Sequence, residues 1–239
     1  MKYILNYGGG VNSTALVIEL VKRKFPLDYV IFSDTGSEMP KTYDYIKIMS
    51  KWFKERNLPF ILVKNKYNKP IYDYYFEKKT MPYRKFRDCT DKFKKSPIMK
   101  FIKQFKEEKV IQYIGIGIDE ARRMRGSMTK WIKFSYPLCD WGIDRKGCID
   151  IIKKEGLPIP VKSGCYFCPY QNRDSWVKLL EKHPNLFKKA RDMEEQNLSY
   201  PKNTLTWQHN LKIFEKSYKD QTKLSIDGQG YACEGWCMT

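Results

Sequence analysis

No stretch of this 239-residue sequence approaches the run of roughly 18 apolar residues that a membrane-crossing helix needs. Met1-Lys2-Tyr3-Ile4-Leu5-Asn6 runs straight from a strand-like segment into glycines, without the long apolar core of a secretion signal. There is no internal repeat and no low-complexity tract. Acidic residues are scarce, with 27 Asp and Glu against 45 Lys and Arg, so the net charge is +18. These absences speak against a membrane protein, a secreted protein and a repeat array. A cytoplasmic location is the expectation. The seven cysteines are then read as thiols or metal ligands rather than disulfides.

What is present argues for a packed fold. A hydrophobic fraction of 42% with 15% aromatics supplies a core and excludes disorder. The basic excess suits a polyanion, with nucleic acid (tRNA or DNA) the first candidate, although a merely solvated Lys-rich surface reads the same way. Cations cluster between Lys78 and Lys106, with Tyr83, Phe86 and Phe93 among them. Such a belt suits base stacking and phosphate neutralisation, or the buried side of an amphipathic helix.

Tyr3–Leu5 reads as a buried strand, and Leu16, Val17, Leu20 and Val21 follow at helical spacing within Thr14–Lys24. Tyr29–Phe32 is a second strand, Pro40 opens a second helix, and Phe60–Val63 is a third strand. This alternation implies a parallel sheet with right-handed crossovers. The segment 64–95 reads as irregular. Ser96-Pro97 is expected to cap and begin a helix running to about Glu107. Val110–Ile118 reads as a further strand, and Asp144 as the cap of a helix ending near Gly156. Helices are expected near 174–181, 184–196 and 207–218. The Gly-rich end, 226–237, reads as a mobile tail. His183 and His209 receive no role.

The chemical signal lies at Gly8-Gly9-Gly10-Val11-Asn12-Ser13-Thr14. Glycines let the backbone approach phosphates and take positive φ. A helix N-terminus supplies free N–H groups and a positive dipole end. Ser13 and Thr14 add hydroxyls. The loop is neither a Walker sequence, since no Gly-Lys-Ser/Thr follows, nor G-x-G-x-x-G.

This loop resembles the S-G-G-x-D-S loop of the PP-loop ATP pyrophosphatases, with Gly8 in place of the usual Ser and Asn12 in place of Asp. Asp34-Thr35-Gly36-Ser37-Glu38-Met39-Pro40-Lys41-Thr42 resembles the D-T-G-x-x-x-P-E-T segment of phosphoadenylylsulfate reductases, a branch of that superfamily. Ile116-Gly117-Ile118-Asp119-Glu120-Ala121-Arg122-Arg123 resembles its G-x-x-x-E-x-x-R segment, and Pro137-Leu138-Cys139-Asp140-Trp141 its P-L-x-x-W. The resemblance implies an α/β, Rossmann-like sheet of the adenine nucleotide alpha hydrolase-like kind, with helices on both faces. Residues 1–160 would form this nucleotide-binding domain, and 161–239 a helical, Cys-containing C-terminal region packed on it. The resemblance further implies that Gly8, Gly9, Gly10, Asn12, Ser13, Thr14, Asp34, Thr35, Gly117 and Glu120 hold ATP, with Mg2+ shielding its phosphates. Ser13, Asp34, Arg122 and Arg123 would serve catalysis, the arginines by neutralising phosphate charge.

Cys165-x-x-Cys168 can present two thiolates to one metal. Cys89 and the residues after it resemble the C-C-x-x-R-K segment of adenylylsulfate reductases, with Thr90 replacing the second cysteine. That implies a 4Fe-4S cluster with three protein ligands. The rival is Zn2+ closed by Cys233 or Cys237. Cys139 and Cys148 read as core residues. Cys233-Glu234-Gly235-Trp236-Cys237 distantly resembles the thiolate segment of sulfonucleotide reductases, so Cys233 and Cys237 are also candidate catalytic thiols.

Three functions follow. The first is ATP-dependent adenylation of an acceptor for sulfur or nitrogen transfer, with a nucleic-acid base as candidate. The second is reduction of an adenylated sulfate by a cysteine thiolate. The third is a zinc-stabilised nucleic-acid-binding module, which leaves the glycine loop without a purpose.

Overall fold

Strand β1 (Lys2–Asn6) pairs in parallel with β2 (Tyr29–Asp34) on one side and β4 (Val110–Ile114) on the other. In the computed structural model, which describes residues 1–199, 204–206 and 209–226, β3 (Phe60–Lys64) and β5 (Ile132–Ser135) complete the five-stranded sheet. All pairings are parallel and the order is β3-β2-β1-β4-β5. Strand order reverses between β1 and β4, the switch point where open α/β sheets take ligands at their carboxyl ends. The short β5 went unread in the sequence, because Ile132–Ser135 has only four residues and one deeply buried side chain.

The chain divides into two compact units, residues 1–74 with 87–165 and residues 75–86 with 166–239. The first holds the sheet. Helices α1 (Val11–Lys22) and α2 (Pro40–Glu55) join the strands, and α7 (Arg145–Lys154) packs with them over Leu5, Val30, Phe32 and Tyr113. On the other face Ile4, Ile31, Val110 and Ile132 meet Ile102 and Phe105. Helices therefore cover both faces, which explains the nearly continuous apolar strands. At the foot of this layer Glu155 accepts from Trp52 Nε1 at 3.0 Å and from Arg56 Nη2 at 2.8 Å, and pairs with Lys22 at 3.2 Å. Arg56 lies 3.9 Å over the Trp52 ring.

About half of the segment read as irregular is helical. It holds α3 (Ile71–Glu77) and α4 (Asp88–Thr90), and α4 continues through a π-helical stretch, Asp91–Lys95, into α5 (Ser96–Ile102). Ser96 therefore does not start the helix; it sits inside it at φ −60°, ψ −45°. Pro97 has no N–H for the carbonyl four residues back, that of Phe93. Ser33 Oγ from β2 donates to this carbonyl at 2.7 Å, so the ladder is repaired from the sheet. A 3-10 turn, Lys103–Glu108, ends the stretch. The strand expected over 110–118 stops at Ile114, and Ile118–Arg123 is a 3-10 turn. After α6 (Pro137–Asp140), Asp144 caps α7 by accepting from Gly147 N at 2.7 Å.

The second unit contains α8 (Arg173–Lys182), α9 (Pro184–Glu195) and α10 (Leu211–Ile226) around Trp176, Leu179, Phe187, Ala190 and Met193. Asn172 caps α8 through Ser175 N at 3.0 Å. Buried Glu194 of α9 accepts from the backbone N–H of Leu205 and of Leu211, which fixes the start of α10. The helix expected over 207–218 thus begins later and runs further. No helix among the described residues is long and apolar enough to cross a membrane.

Burial alone would raise the Glu155 carboxyl. The bonds from Trp52 and Lys22 and the charges of Lys22 and Arg56 hold it below the usual carboxylate value. Its contribution is therefore present above about pH 4.3, the unperturbed carboxyl value, and is lost as pH falls through the lower folded value. Glu155→Gln should cost about 1 kcal/mol at pH 7, about 2–4 °C in Tm, with the gap to the natural protein closing below about pH 4. Thermal melts across pH check this, and a gap independent of pH would contradict it.

Candidate functional site

The turn between β1 and α1 is built around its glycines. Gly9 has φ +68°, and a Cβ there would meet Ile46 Cδ1 at 3.1 Å and Thr42 Cγ2 at 3.4 Å. Gly10, the residue before α1, is extended and has no side chain to cap the helix. Ser13 Oγ donates to Gly10 O at 3.1 Å and accepts from Gly8 N at 3.2 Å, so its hydroxyl holds the loop closed. Thr14 is fully buried, and its hydroxyl lies 3.0 Å from Tyr7 OH inside the core. The first amides of a helix have no intrahelical acceptor. Among the described residues the amides of Gly9, Gly10, Val11 and Asn12 find none elsewhere either.

Strand β4 ends beside this turn. A Cβ on Gly115 would lie 2.9 Å from both Cα and N of Ser13. The two arms of the switch point thus meet backbone to backbone, a contact only glycine permits. Gly117 is confined as well, since a Cβ would meet Asp119 Oδ1 at 2.6 Å and Ile143 O at 3.2 Å. Ile118 N donates to Ile143 O at 2.9 Å, which brings the 3-10 turn against the start of α7.

Asn12 is buried and bridges two charged groups. Its Nδ2 donates to Glu120 Oε2 at 3.1 Å, and its Oδ1 accepts from Arg145 Nη1 at 3.3 Å. Glu120 Oε1 is held by Arg123. A carboxylate at position 12 would face Glu120 with like charge; the amide offers a donor to one neighbour and an acceptor to the other. Arg122 is exposed, and its carbonyl accepts from Arg125 Nη1.

Asp34 closes β2. Its Oδ1 accepts from Gly36 N and from Tyr43 OH, both at 2.8 Å. Burial, and then the bond to Asp34, push the Tyr43 hydroxyl well up. Gly36 has φ +69°, and a Cβ there would strike Pro70 at 2.9 Å. Asp34, Thr35, Gly36, Lys64, Asn65 and Asn68 line a cleft of about 110 Å³ at the ends of β2 and β3. Thr35 is fully buried. Its Oγ1 donates to Glu38 Oε1 at 3.2 Å and lies 3.6 Å from Cys165 Sγ. Glu38 is buried, pairs with Lys94 at 3.0 Å, and leaves Oε2 without a partner. The chain near Cys165 runs close to both features. A Cβ on Gly10 would meet Ser163 Oγ at 3.1 Å, Met39 N donates to Gly164 O at 3.0 Å, and Glu38 bridges Cys165.

Cys89 and Cys165 belong to the first unit and Cys168 to the second. All three are half-buried. Among the described residues no group of three Cys, His, Asp or Glu side chains gathers as metal ligands. Cys233 and Cys237 lie outside the described residues. Burial pushes the Cys139 thiol up, and the Cys148 thiol up to about 12, which disfavours the reactive thiolate at Cys148. The basic belt divides too. Phe93 is fully buried, whereas Phe86 is 56% exposed and stands 5.4 Å from Tyr83. Arg84 is tied to the carbonyls of Pro169 and Leu205.

Sequence reasoning missed Gly115, Glu38, Ser163 and Arg145. Gly115 breaks an apolar run just after β4, which could have flagged a close backbone approach. Arg145-Lys146 after the capping Asp144 places two cations at a helix start, a local signal that went unread; Glu38 and Ser163 left none.

A family model described as the phosphoadenosine phosphosulfate reductase domain matches residues 2–144. An uncharacterized protein of Methanocaldococcus jannaschii is 28% identical over 204 residues, a match covering 80% of this chain and 47% of that protein. The chain thus spans about half the length of this curated relative. The phosphate complex of phosphoadenylyl-sulfate reductase from Candida auris is similar with TM-score 0.51 at 16% identity, covering 67% of this chain and 75% of that one. The U34-tRNA thiolase NcsA from Methanococcus maripaludis, with its 4Fe-4S cluster, gives TM-score 0.49 at 18% identity, covering 84% and 71%. At these identities the likeness to the reductase speaks for the fold.

Gly115→Ala should push β4 off the first turn of α1. The expected cost is about 1–3 kcal/mol of stability, with a loss of nucleotide binding. Gly126→Ala, where a Cβ meets nothing within 4 Å, is the control. Equal melting temperatures and equal affinities for the two variants would contradict the contact.

Proposed function

Because the chain belongs to the phosphoadenosine phosphosulfate reductase domain family, we propose that it binds an adenine nucleotide at the β1–α1 turn and uses ATP to adenylate an acceptor. The observation that carries this reading is the set of acceptor-free amides from Gly9 to Asn12 at the sheet's switch point. Polyphosphate oxygens would fill them, and the positive end of α1 would stabilise their charge. Ser13 keeps the turn in shape. The cleft beside Asp34, Thr35 and Gly36 would take the nucleoside end.

An acceptor oxygen attacks the α-phosphorus, and the bond to the bridging oxygen breaks. Pyrophosphate leaves with the electron pair and the acceptor carries AMP. A sulfur or nitrogen nucleophile then displaces AMP at the activated carbon. Amides that hold the leaving pyrophosphate lower the barrier by stabilising charge that develops there. The net charge of +18 and the exposed Phe86 among Lys78, Lys79 and Lys85 favour a nucleic-acid base as acceptor.

The family's name favours a second reading, reduction of an adenylated sulfate by a cysteine thiolate. Cys148 is buried with its thiol pushed up to about 12, which does not suit that role, and Cys139 is read as a core residue, which leaves Cys89, Cys165, Cys168, Cys233 and Cys237. Two assays separate the readings. Adenylation predicts pyrophosphate release from ATP that rises when tRNA or DNA is added. Reduction predicts sulfite release from an adenylated sulfate with a thiol reductant, and no use of ATP. Ser13→Ala should weaken ATP binding by about 1–2 kcal/mol, because the loop loses both bonds made by that hydroxyl. Calorimetry checks this, and unchanged affinity would remove Ser13 from the site.

A further inference from the structure

Arg145 breaks a local rule. It is the first residue of α7 and is followed by Lys146, so two cations stand at the positive end of a helix dipole. No acidic residue occupies the first turn of that helix, and the capping carboxylate of Asp144 already accepts from Gly147 N. Sequences that oppose their own local physics do so most often at functional sites.

The surroundings of Arg145 supply a use. Its side chain is exposed, and Nη1 donates to Oδ1 of buried Asn12 at 3.3 Å. Asn12 belongs to the same first turn of α1 whose amides lack acceptors. The Asn12 amide nitrogen is fixed in turn by Glu120, whose other oxygen is held by Arg123. Glu120 is thus already paired. Among the described residues no carboxylate lies within ion-pair distance of Arg145. One guanidinium N–H group anchors Arg145 to the loop, and four of its five donors remain for a ligand.

We propose that Arg145, held at the mouth of the loop by Asn12, is a phosphate-binding residue that recognises the outer phosphates of a nucleoside triphosphate. This rests on the nucleotide reading above and deepens it. The guanidinium fork suits bidentate contact with phosphate oxygens, and it shares the leaving pyrophosphate with the loop amides. Asn12 is the positioning residue. An aspartate there would pair with the guanidinium and compete with the ligand for it, whereas the neutral amide orients the fork and leaves its charge uncompensated.

The test uses the full chain and titrates ATP, ADP and AMP by calorimetry against the natural protein, Arg145→Ala and Arg145→Lys. Arg145→Ala should weaken ATP binding about tenfold or more and AMP binding less than twofold. Arg145→Lys should recover only part of the ATP affinity, because the charge returns without the fork. In a cycle with Asn12→Ala, the two losses in ATP affinity should be smaller together than their product. Melting temperatures show that the variants are folded, as expected for an exposed side chain. Equal loss for ATP and AMP, or an unchanged ATP affinity, would overturn the role of Arg145 while leaving nucleotide binding intact. A natural protein that takes up no nucleotide at all would overturn the loop reading, and this proposal with it.

Discussion

The first turn of α1 is held in place by a backbone contact, and the candidate site depends on that contact. Gly115 at the end of β4 lets the chain lie against the backbone of Ser13. Gly9 at positive φ turns the chain out of β1, and Thr14 anchors the helix to Tyr7 in the core. Ser13 then fastens the loop to itself. The outcome is a run of amides without acceptors in a largely buried segment. An unpaired buried amide costs on the order of 1–3 kcal/mol, so such a loop persists where water or an anion supplies the missing acceptor.

Much of this architecture was legible in the sequence. The βα alternation from β1 to β3, the glycine turn, the Asp144 cap and the helices after Cys168 all rest on local signals: apolar period, caps and turn residues. The parts that failed depend on distant partners. Ser96-Pro97 looked like a helix start because proline favours first turns. In the structure Ser33, from β2, donates to the carbonyl four residues before Pro97, and the helix begins earlier at Asp88. Gly115, Arg145 and Glu120 meet the loop from positions more than a hundred residues along the chain, and although the resemblance named Glu120, what each of them touches required the fold. Asn12 illustrates both sides. Its departure from the family's aspartate was visible, but the reason, a donor for Glu120 and an acceptor for Arg145, required the fold.

The cysteines and the basic belt show how residues of one type divide once placed. Cys148 is a core residue with a thiol pushed up by burial, whereas Cys165 lies beside Thr35 and Glu38 in the turn after β2. Phe93 fills the core and Phe86 stands exposed with Tyr83. Composition could not make either distinction. It follows from which side of an element each residue occupies.

The central claim is that the backbone amides of Gly9 to Asn12 receive phosphate oxygens. Amide chemical shifts of the isotope-labelled protein, followed by NMR during titration with ATP and with adenosine, test it most directly. The account predicts large shifts at Gly9, Gly10, Val11 and Asn12 with ATP, and small ones with adenosine. Saturable ATP binding that leaves those four amides unmoved would contradict it.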